Sequence, residues 1–200
     1  GHDADGLAFL VDDNHRAELA LAATLRALHM LSRSSIAINR IHDEAGLLAE
    51  VCRVAVSVGG YRMAWVGYAS DDEAKNIQPM AHAGEELGYL DAITLCWRED
   101  RLEGQSPSGQ AIRTGLPQQM HDIRQADRKH HWRKAALQRG YLSALFLPLC
   151  NEDKSFGVLC LYTGQIQEFA PNEVHLLQEL ADNLALSIFS LRAQVERRRS

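Results

Sequence analysis

Four side chains with the potential to bind a metal ion lie close together in the middle of the chain. His121, Asp122, His130 and His131 fall within residues 121–131, and histidine and aspartate are common zinc ligands. A metal site also needs ligands that converge in space, whereas the adjacent His130 and His131 point apart on a helix. We therefore expect exposed loop histidines here and no bound metal.

Nucleophilic chemistry is the second possibility that the residue types raise. Serine, histidine and aspartate are all present, but no nucleophile motif accompanies them, so we expect no catalytic triad. The four cysteines, Cys52, Cys96, Cys150 and Cys160, include no C-x-x-C pair. Three of them lie among apolar residues, where a thiol behaves as a small hydrophobic group. This usage is typical of a reducing compartment, and we expect a cytoplasmic protein without disulfides.

Two tryptophans, each followed by an arginine, are candidates for ligand contacts. Trp97 and Trp132 can stack on a flat ligand, and Arg98 and Arg133 can pair with an anion. The alternative is that the tryptophans fill a gap in the core while the arginines lie on the surface. Both interpretations fit the sequence.

The segment SPSGQAIRTG, residues 106–115, also has two interpretations. It can offer backbone N–H groups at a helix N-terminus to a negative ligand. It can equally be an ordinary helix capped by Ser106 or Ser108, which is the interpretation that we favour.

Length and composition limit the function classes. With 200 residues, of which 46% are hydrophobic and 24% charged, the chain is typical of one soluble globular domain. The formal net charge of −5 argues against nucleic-acid binding, because phosphate contacts need a concentrated basic surface. No apolar run in the sequence is long enough to cross a bilayer, so we expect no membrane insertion of this chain.

Helices and strands alternate along the chain and must position these candidates. The spacing of leucines predicts a helix over residues 15–41 and a second one over 43–58. Strands are predicted at 61–69 and 76–83. The apolar runs YLSALFLPLC and SFGVLCLYTG, joined by NEDK, predict a β-hairpin. A long final helix follows, so the order predicts an α+β fold with an antiparallel sheet.

The strand in GGYRMAWVGYA is apolar on both faces, which raises the question of what each face contacts. Long helices can cover one face, and the irregular segment 84–140 is left to roof the other, an arrangement that commonly encloses a pocket. Either Met63 and Trp65 or the alternate residues of the same strand face this pocket. The candidate pocket residues are Met63, Trp65, Trp97, Arg98, Ser108, Gln110, Ile112, Trp132 and Phe146.

Five segments together resemble the GAF domain of bacterial multidomain signalling proteins. They are GGYRMAWVGYA, AGEELGYLDAI, SPSGQAIRTGLPQ, HHWRKAALQRGYLSALFLPLC and SFGVLCLYTG, followed by the long last helix. The resemblance implies a six-stranded antiparallel sheet with long N- and C-terminal helices on one face and short helices and loops that roof a pocket on the other. It also implies a regulatory role beside histidine kinases or enzymes of cyclic di-GMP metabolism.

The sequence departs from the ligand-binding and catalytic branches of this family. The N-K-F-D-E type motif of cyclic-nucleotide-binding GAF domains is absent, and Cys96 is followed by Trp97 instead of the His of bilin-binding relatives. Relatives that reduce free methionine sulfoxide carry a cysteine in a G-V-C-G-like turn, where this chain has Ser108. A hydroxyl cannot do the redox chemistry of a thiolate. We therefore expect no enzyme activity, and the sequence identifies no cofactor.

The last helix, residues 171–199, carries an apolar seam that predicts a homodimer. Its apolar residues alternate steps of three and four over three heptads, which is the spacing of a coiled coil. The alternative is a monomeric helix that packs on its own sheet. The predicted dimer interface consists of Val174, Leu177, Ala181, Leu184, Ile188, Leu191 and Val195.

These parts lead to an expected organisation and function. We expect residues 1–14 to be a tag remnant and an acidic disordered lead, 15–41 the N-terminal helix, 42–192 the GAF domain, and 193–200 the start of a linker helix to an output domain. The domain would bind an unidentified small molecule, dimerise, or both, and pass a signal through its C-terminal helix. Two alternatives stay open: a redox enzyme of the same fold, and a purely structural dimerisation module.

Overall fold

A computed structural model describes the backbone of residues 2–200 and the side chains of residues 6–200. The helices in this part of the chain are α1 (His2–Arg40), α2 (Glu44–Ser57), α3 (Tyr89–Ala92), α4 (Pro107–Thr114), α5 (His131–Gln138) and α6 (Pro171–Arg199). The strands are β1 (Met63–Ala69), β2 (Ile77–Gly84), β3 (Gln118–Met120), β4 (Ser143–Asn151) and β5 (Lys154–Thr163). None of the described helices has a stretch both apolar and long enough to cross a membrane.

The strands form one antiparallel sheet of five, in the order β2-β1-β5-β4-β3, where six strands were expected. The segment after α3 meets the chain just before β2 at a single bridge, between Asn76 and Cys96. It turns away at once, because the N–H of Arg98 donates to the Cys96 Sγ at 3.3 Å and not to a neighbouring strand. The expected sixth strand is thereby reduced to one bridge.

Alternate residues of β1 contact two different cores, as strand geometry requires. Met63 and Trp65 belong to the core beneath the irregular segment between β2 and β4, which we call the roof. Ala64 and Val66 belong to the core beneath the long helices. The structure thus selects one of the two orientations that the sequence left open.

The helical layer consists of α1, α2 and α6, which cover aliphatic residues of the central strands. Asp43 caps α2, because its carboxylate accepts the N–H of Gly46 at 2.8 Å. Pro171 begins α6, where its missing N–H leaves no bond unmade. The strand residues beneath this layer include Leu145, Leu147, Leu149, Leu159 and Leu161, all with no exposed surface.

The apolar seam of α6 faces its own domain and does not form a free dimer surface. Leu177, Ala181, Leu184 and Ile188 have no exposed surface, since they pack on the sheet and on α1. Val174 and Leu191 are partly buried in the same core, whereas Val195 is 46% exposed. A coiled coil repeats every 3.5 residues and a straight helix every 3.6 residues, and over three heptads the two patterns differ little. The same apolar spacing therefore fits a helix that packs on its own domain.

The helices α1 and α6 lie side by side and run in the same direction. Near the start of α6, Glu173 lies close to Arg26 of α1. Near the end of α6, Arg192 bonds Glu44, just beyond the end of α1. The N-terminus of α1 and the C-terminus of α6 therefore lie at opposite ends of the domain.

The first helix begins earlier than predicted. It starts at His2, so the lead that the sequence predicted to be disordered is helical over the described residues. No proline occurs before Pro79, and nothing therefore breaks the helix upstream of residue 15. Residues 6–21 are all exposed, so this part of α1 extends away from the rest of the domain.

Candidate ligand-binding site

A small cavity lies between the sheet and the roof. Its floor comes from β1, β4 and β5, and its walls come from α3, α5 and the start of α4. The space open to the centre of a water molecule is about 20 Å³, which suffices for a single water. Any larger ligand must displace part of the roof.

The floor of the cavity is aromatic. Trp65 donates its indole N–H to the Tyr162 hydroxyl at 3.1 Å, and the Tyr162 ring packs edge-on against Tyr89 and Phe146, with centroids 5.5 and 5.9 Å apart. The Trp65 ring lies over Gly67, where an added Cβ would come within 2.4 Å of the indole. Burial raises the pKa of Tyr162 and that of Tyr89, so both phenols stay neutral.

The start of α4 supplies the polar wall. The Ser106 hydroxyl caps the helix by accepting the N–H of Gly109 at 3.3 Å, and it lies 3.1 Å from the Ser108 hydroxyl. The bond between the two hydroxyls uses one of their two protons and leaves the other free to donate. Gly109 allows this wall to approach the preceding turn, because a Cβ there would lie 2.3 Å from the Gly104 carbonyl oxygen.

Residues 93–95 form the mouth of the cavity beside α5. The backbone N–H of Thr94 donates to Nε2 of His131 at 3.0 Å and ties the mouth to that helix. The next residue, Trp132, is 7% exposed, and its buried indole N–H has no hydrogen-bond acceptor in the described part of the chain. An unbonded buried donor costs about 1–3 kcal/mol, which a ligand with an acceptor would offset.

Six of the predicted pocket residues lie in the core beneath the roof, and four of these line the cavity. The four are Trp65, Ser108, Trp132 and Phe146. Met63 and Ile112 belong to the same hydrophobic core but do not line the open space.

The other three predicted pocket residues do not line the cavity, although Trp97 packs against the same core. Trp97 donates its indole N–H to the Ser70 carbonyl at 2.9 Å, away from the cavity. Arg98 pairs with the exposed carboxylate of Asp100. Gln110 is exposed, because two residues along a helix place it nearly opposite the buried Ser108.

Sequence reasoning missed the two tyrosines of the cavity. Tyr162 lies directly opposite Met63 in the pairing of β1 with β5, so the signal was the alternation along SFGVLCLYTG, which needed the strand register to be useful. Tyr89 begins α3, within the segment AGEELGYLDAI, and nothing in that segment indicates which side of it is buried. Both residues become candidates only once the roof is in place.

The histidines that raised the question of a metal site do not converge. His131 accepts a hydrogen bond at the cavity mouth, and the His121 ring packs against Phe169, with centroids 6.5 Å apart. Within residues 6–200, no three side chains of the His, Cys, Asp and Glu types come together as a metal site.

Three of the cysteines are buried. Burial raises the pKa of Cys52 to about 12 and raises that of Cys160 well above its ordinary value. Cys96 is 3% exposed, and its Sγ donates to the Ala74 carbonyl at 3.7 Å. A thiol acts as a nucleophile only as the thiolate, so Cys52 and Cys160 are inert at neutral pH.

A second cluster of polar and aromatic residues lies at the far end of α6. We call Glu44, Tyr68, Phe156, Phe189 and Arg192 the exit cluster. Arg192 donates to both carboxylate oxygens of Glu44 at 2.8 and 3.0 Å, and the Tyr68 hydroxyl donates to the same carboxylate at 2.6 Å. The hydrogen bond from Arg192 holds the pKa of Glu44 below its ordinary value. Phe156 packs edge-on against Phe189 at 4.9 Å.

One strand contacts both the cavity and the exit cluster. Trp65 of β1 lies in the cavity floor, and Tyr68, three residues further on, bonds Glu44. The two side chains point to opposite faces of the sheet. Strand β1 is therefore an element that the cavity and the exit cluster share.

A model of the GAF domain family matches residues 41–188, well over half of the chain. The chain belongs to the GAF domain family. No curated protein matches this GAF domain in sequence.

Several solved structures share the fold of this GAF domain at low sequence identity. The free methionine-R-sulfoxide reductase of Neisseria meningitidis, in complex with its substrate, is 20% identical with a TM-score of 0.68, over 86% of this chain and 93% of that one. The GAF domain of a phosphoenolpyruvate-protein phosphotransferase from Coxiella burnetii is 18% identical with a TM-score of 0.67, over 86% and 98%.

A domain of a two-component sensor histidine kinase protein from Sinorhizobium meliloti 1021 is 20% identical with a TM-score of 0.59. The match covers 74% of this chain and 92% of that one. At such identities the likeness shows a common fold, and the function of this GAF domain has to be argued from its own site.

Proposed function

We propose that this GAF domain is a non-catalytic sensory domain that binds a small molecule in the roofed cavity and passes the binding event to an output domain through α6. The observation that carries the proposal is the shared strand β1, which places Trp65 in the cavity and Tyr68 in the exit cluster. A ligand acts on such a device only if it binds two arrangements of the strand and helix unequally. The expected coupling is about 1–3 kcal/mol.

The ligand contacts in this proposal are the cavity residues. Trp65, Ser108, Trp132 and Phe146 stay from the predicted set, and Tyr89 and Tyr162 are added because they line the same space. Residues 42–192 form the sensory domain, and the exposed end of α6, residues 193–200, leads to the output domain. The fold likeness to a domain of a two-component sensor histidine kinase protein supports a signalling context, and the proposal places the domain in the cytoplasm.

The alternative of a redox enzyme comes from the fold likeness to the Neisseria meningitidis reductase. It needs a reactive thiolate, whereas burial keeps Cys52 and Cys160 protonated and hides Cys96 from solvent. Labelling of the native protein with a thiol reagent separates the two functions. A sensor labels slowly at these three positions, and fast labelling of Cys96 would favour the enzyme.

Dimerisation belongs to the proposal, but through α1 and not through the α6 seam. Residues 6–21 of α1 are all exposed, and an isolated helix of this length is marginal in water. An apolar stripe on α1 includes Leu21, Leu25 and Leu28, which are 61%, 48% and 47% exposed. A second copy of α1 packed along this stripe would cover it and support the free part of the helix.

Sedimentation velocity tests the dimer. The double substitution Leu21→Glu and Leu25→Glu is expected to give a monomer at concentrations where the unmodified protein is a dimer. Leu116→Glu is the matched control, since Leu116 is 62% exposed on the opposite side of the sheet. A monomeric unmodified protein at every concentration would remove dimerisation from the proposal.

Labels on α6 test the signal. Val195 is exposed near the end of α6, so Val195→Cys in a Cys150→Ser background accepts a spin label while the other cysteines stay buried. Small molecules are first selected by thermal shift from cyclic nucleotides, amino acids, aromatic acids and uncharged aromatic amides, since a binder raises the melting temperature. We expect a saturating binder to change the distance between the two labels of a dimer. Binding with an unchanged distance distribution would contradict signalling through α6.

A further inference from the structure

We infer that the cavity ligand is an uncharged, planar ring compound that presents a hydrogen-bond acceptor, such as a carbonyl oxygen or a ring nitrogen. The inference rests on the proposed function, because it assigns a ligand class to the same cavity. It is carried by three properties of the cavity: its lack of charge, its aromatic surfaces, and its unused donors.

The absence of charge excludes ionic ligands. None of the described side chains that line the cavity is acidic or basic. The ionisable groups in its wall are the phenols of Tyr89 and Tyr162, and burial raises the pKa of each, so neither supplies a charge at neutral pH. Burying a charge without a partner costs several kcal/mol, so a carboxylate, phosphate or ammonium group inside the cavity is strongly disfavoured.

The aromatic surfaces favour a flat ligand. Tyr89 and Phe146 each pack edge-on against Tyr162, and Trp65 is joined to Tyr162 by its indole N–H. Trp132 adds a fifth ring from α5. A planar ring stacks on such surfaces and gains about 0.5–1.5 kcal/mol for each ring contact beyond the burial of its area.

The unused donors require an acceptor on the ligand. The indole N–H of Trp132 is buried and has no acceptor among the described residues. The Ser106 and Ser108 hydroxyls share one hydrogen bond, which leaves one proton of the pair to donate. Both donors belong to residues that line the same cavity.

Entry of a ring requires the mouth to open. The present space holds about one water molecule, and the mouth segment is tied to α5 by the bond from Thr94 to His131. Movement of α5 away from the sheet would enlarge the cavity and expose the Trp132 N–H to the ligand. The cost of opening reduces the apparent affinity by the fraction of open molecules.

Nuclear magnetic resonance titration of the intact 200-residue chain tests the ligand class. The protein has three tryptophans, Trp65, Trp97 and Trp132, and therefore three indole N–H signals. Four probes of similar size separate the properties: benzamide is neutral with an acceptor, toluene is neutral without one, benzoate is anionic, and benzylamine is cationic. Trp97 is the internal control, because its N–H already donates to Ser70 outside the cavity.

Benzamide is expected to bind at least tenfold more tightly than benzoate and benzylamine and to shift the Trp132 signal downfield without moving that of Trp97. Trp132→Phe keeps the ring and removes the donor, so it is expected to weaken benzamide about three- to tenfold, the worth of one hydrogen bond, and to leave toluene unchanged. Ser108→Ala is a second variant that removes a donor with little risk to folding. Trp97→Phe is expected to change none of these affinities.

The outcomes distinguish this inference from the function on which it rests. If benzoate or benzylamine binds as well as benzamide, the uncharged class is wrong while small-molecule binding stands. If none of the four ring probes binds but a charged non-ring compound raises the melting temperature, the class is again wrong and the sensory function stands. If no compound binds at all, both are wrong, and the domain is a dimerising spacer.

Discussion

The two faces of the sheet are packed in different ways. Beneath the long helices, leucines of β4 and β5 alternate with residues of the other face and are completely buried. Beneath the roof the core combines aliphatic residues with a cluster of aromatic rings, and hydroxyl groups line its cavity. On and beside α5, buried polar atoms of His130, Trp132 and Arg133 have no partner in the described structure. The helical layer has two such atoms, Ser34 Oγ of α1 and Gln178 Oε1 of α6.

This difference indicates which part of the domain is free to move. The aliphatic core beneath the long helices is densely packed. Movement of these helices would lose van der Waals contacts without forming new ones. Unpaired buried donors make the closed position of α5 less favourable than it would be with partners. We therefore regard the helix face as a fixed base and α5 as the element that a ligand displaces. The following predictions test this comparison, from the largest expected effect to the smallest.

Removing three side-chain carbon atoms is expected to lower the free energy of unfolding by different amounts on the two faces of the sheet. Leu161→Ala beneath the helices should lower the free energy of unfolding by about 4 kcal/mol, because the rigid surroundings leave a cavity. Ile112→Ala beneath the roof should lower it by about 2 kcal/mol, because α4 and α5 can move inward. Urea denaturation measures both. Equal costs, or a larger cost at Ile112, would contradict the comparison.

A buried carboxylate, that of Glu173, lies on the helix face, and its replacement by an amide should stabilise the protein. Glu173 accepts the Tyr61 hydroxyl at 3.1 Å, and burial raises its pKa above the ordinary 4.5. A raised carboxyl pKa means that stability is lost as pH rises through the folded-state pKa. Glu173→Gln is thus expected to be more stable at pH 7, by about 1 kcal/mol, with no difference below pH 4.5. Thermal unfolding across this pH range checks it, and a destabilised variant at pH 7 would reverse the interpretation.

Breaking the exit cluster should uncouple the cavity from the C-terminal end of α6 and lower the stability only slightly. Arg192→Ala is expected to lower the free energy of unfolding by about 0.5–1 kcal/mol, the usual worth of an exposed pair. The pKa of Glu44 is held down by Arg192, so this contribution is present above the ordinary pKa and is lost as pH falls through the lowered one. Ligand affinity should stay the same. Ligand binding should no longer change the distance between the two labels at residue 195.

Arg197→Ala is the control for that experiment, because Arg197 lies on the exposed end of α6. It should leave both stability and the label distance as they are in the unmodified protein. An Arg192→Ala protein that still transmits the change would place the coupling elsewhere.

Loosening the cavity mouth is the smallest change. His131→Phe keeps the ring and removes the acceptor for the Thr94 N–H. Stability should stay within about 0.5 kcal/mol, and benzamide should associate about threefold faster, because opening no longer breaks this bond. Stopped-flow tryptophan fluorescence measures the rate. An unchanged rate would mean that the mouth does not limit entry.

Local patterns were enough to predict most of the elements. The helix expected at 43–58 is α2 (Glu44–Ser57), and the hairpin expected from two apolar runs is β4 with β5. Each has a strong period and a clear end signal, namely Asp43 as a cap and NEDK as a turn. The irregular segment was correctly expected to roof the sheet, since nothing else remained to cover that face.

The site was less predictable, because it depends on contacts between distant segments. Trp97 and Trp132 have the same local pattern, a tryptophan followed by an arginine, yet only Trp132 lines the cavity. Trp97 is held by the carbonyl of Ser70, a partner that no local pattern indicates. The apolar seam of α6 was assigned to a dimer interface for a similar reason. Periodicity indicates that one face of a helix is buried, but it does not indicate which element covers that face.

The parallel arrangement of α1 and α6 has a consequence for how such a domain is strung into a longer polypeptide. A chain that arrives along one helix and departs along the other keeps its heading, so modules of this kind can be placed in tandem without a reversal. Each residue of an α-helix turns the chain by about 100° and advances it by about 1.5 Å. Inserting one residue after Arg192 would therefore rotate the following segment about the helix axis by roughly 100°, whereas inserting seven would nearly restore its original orientation.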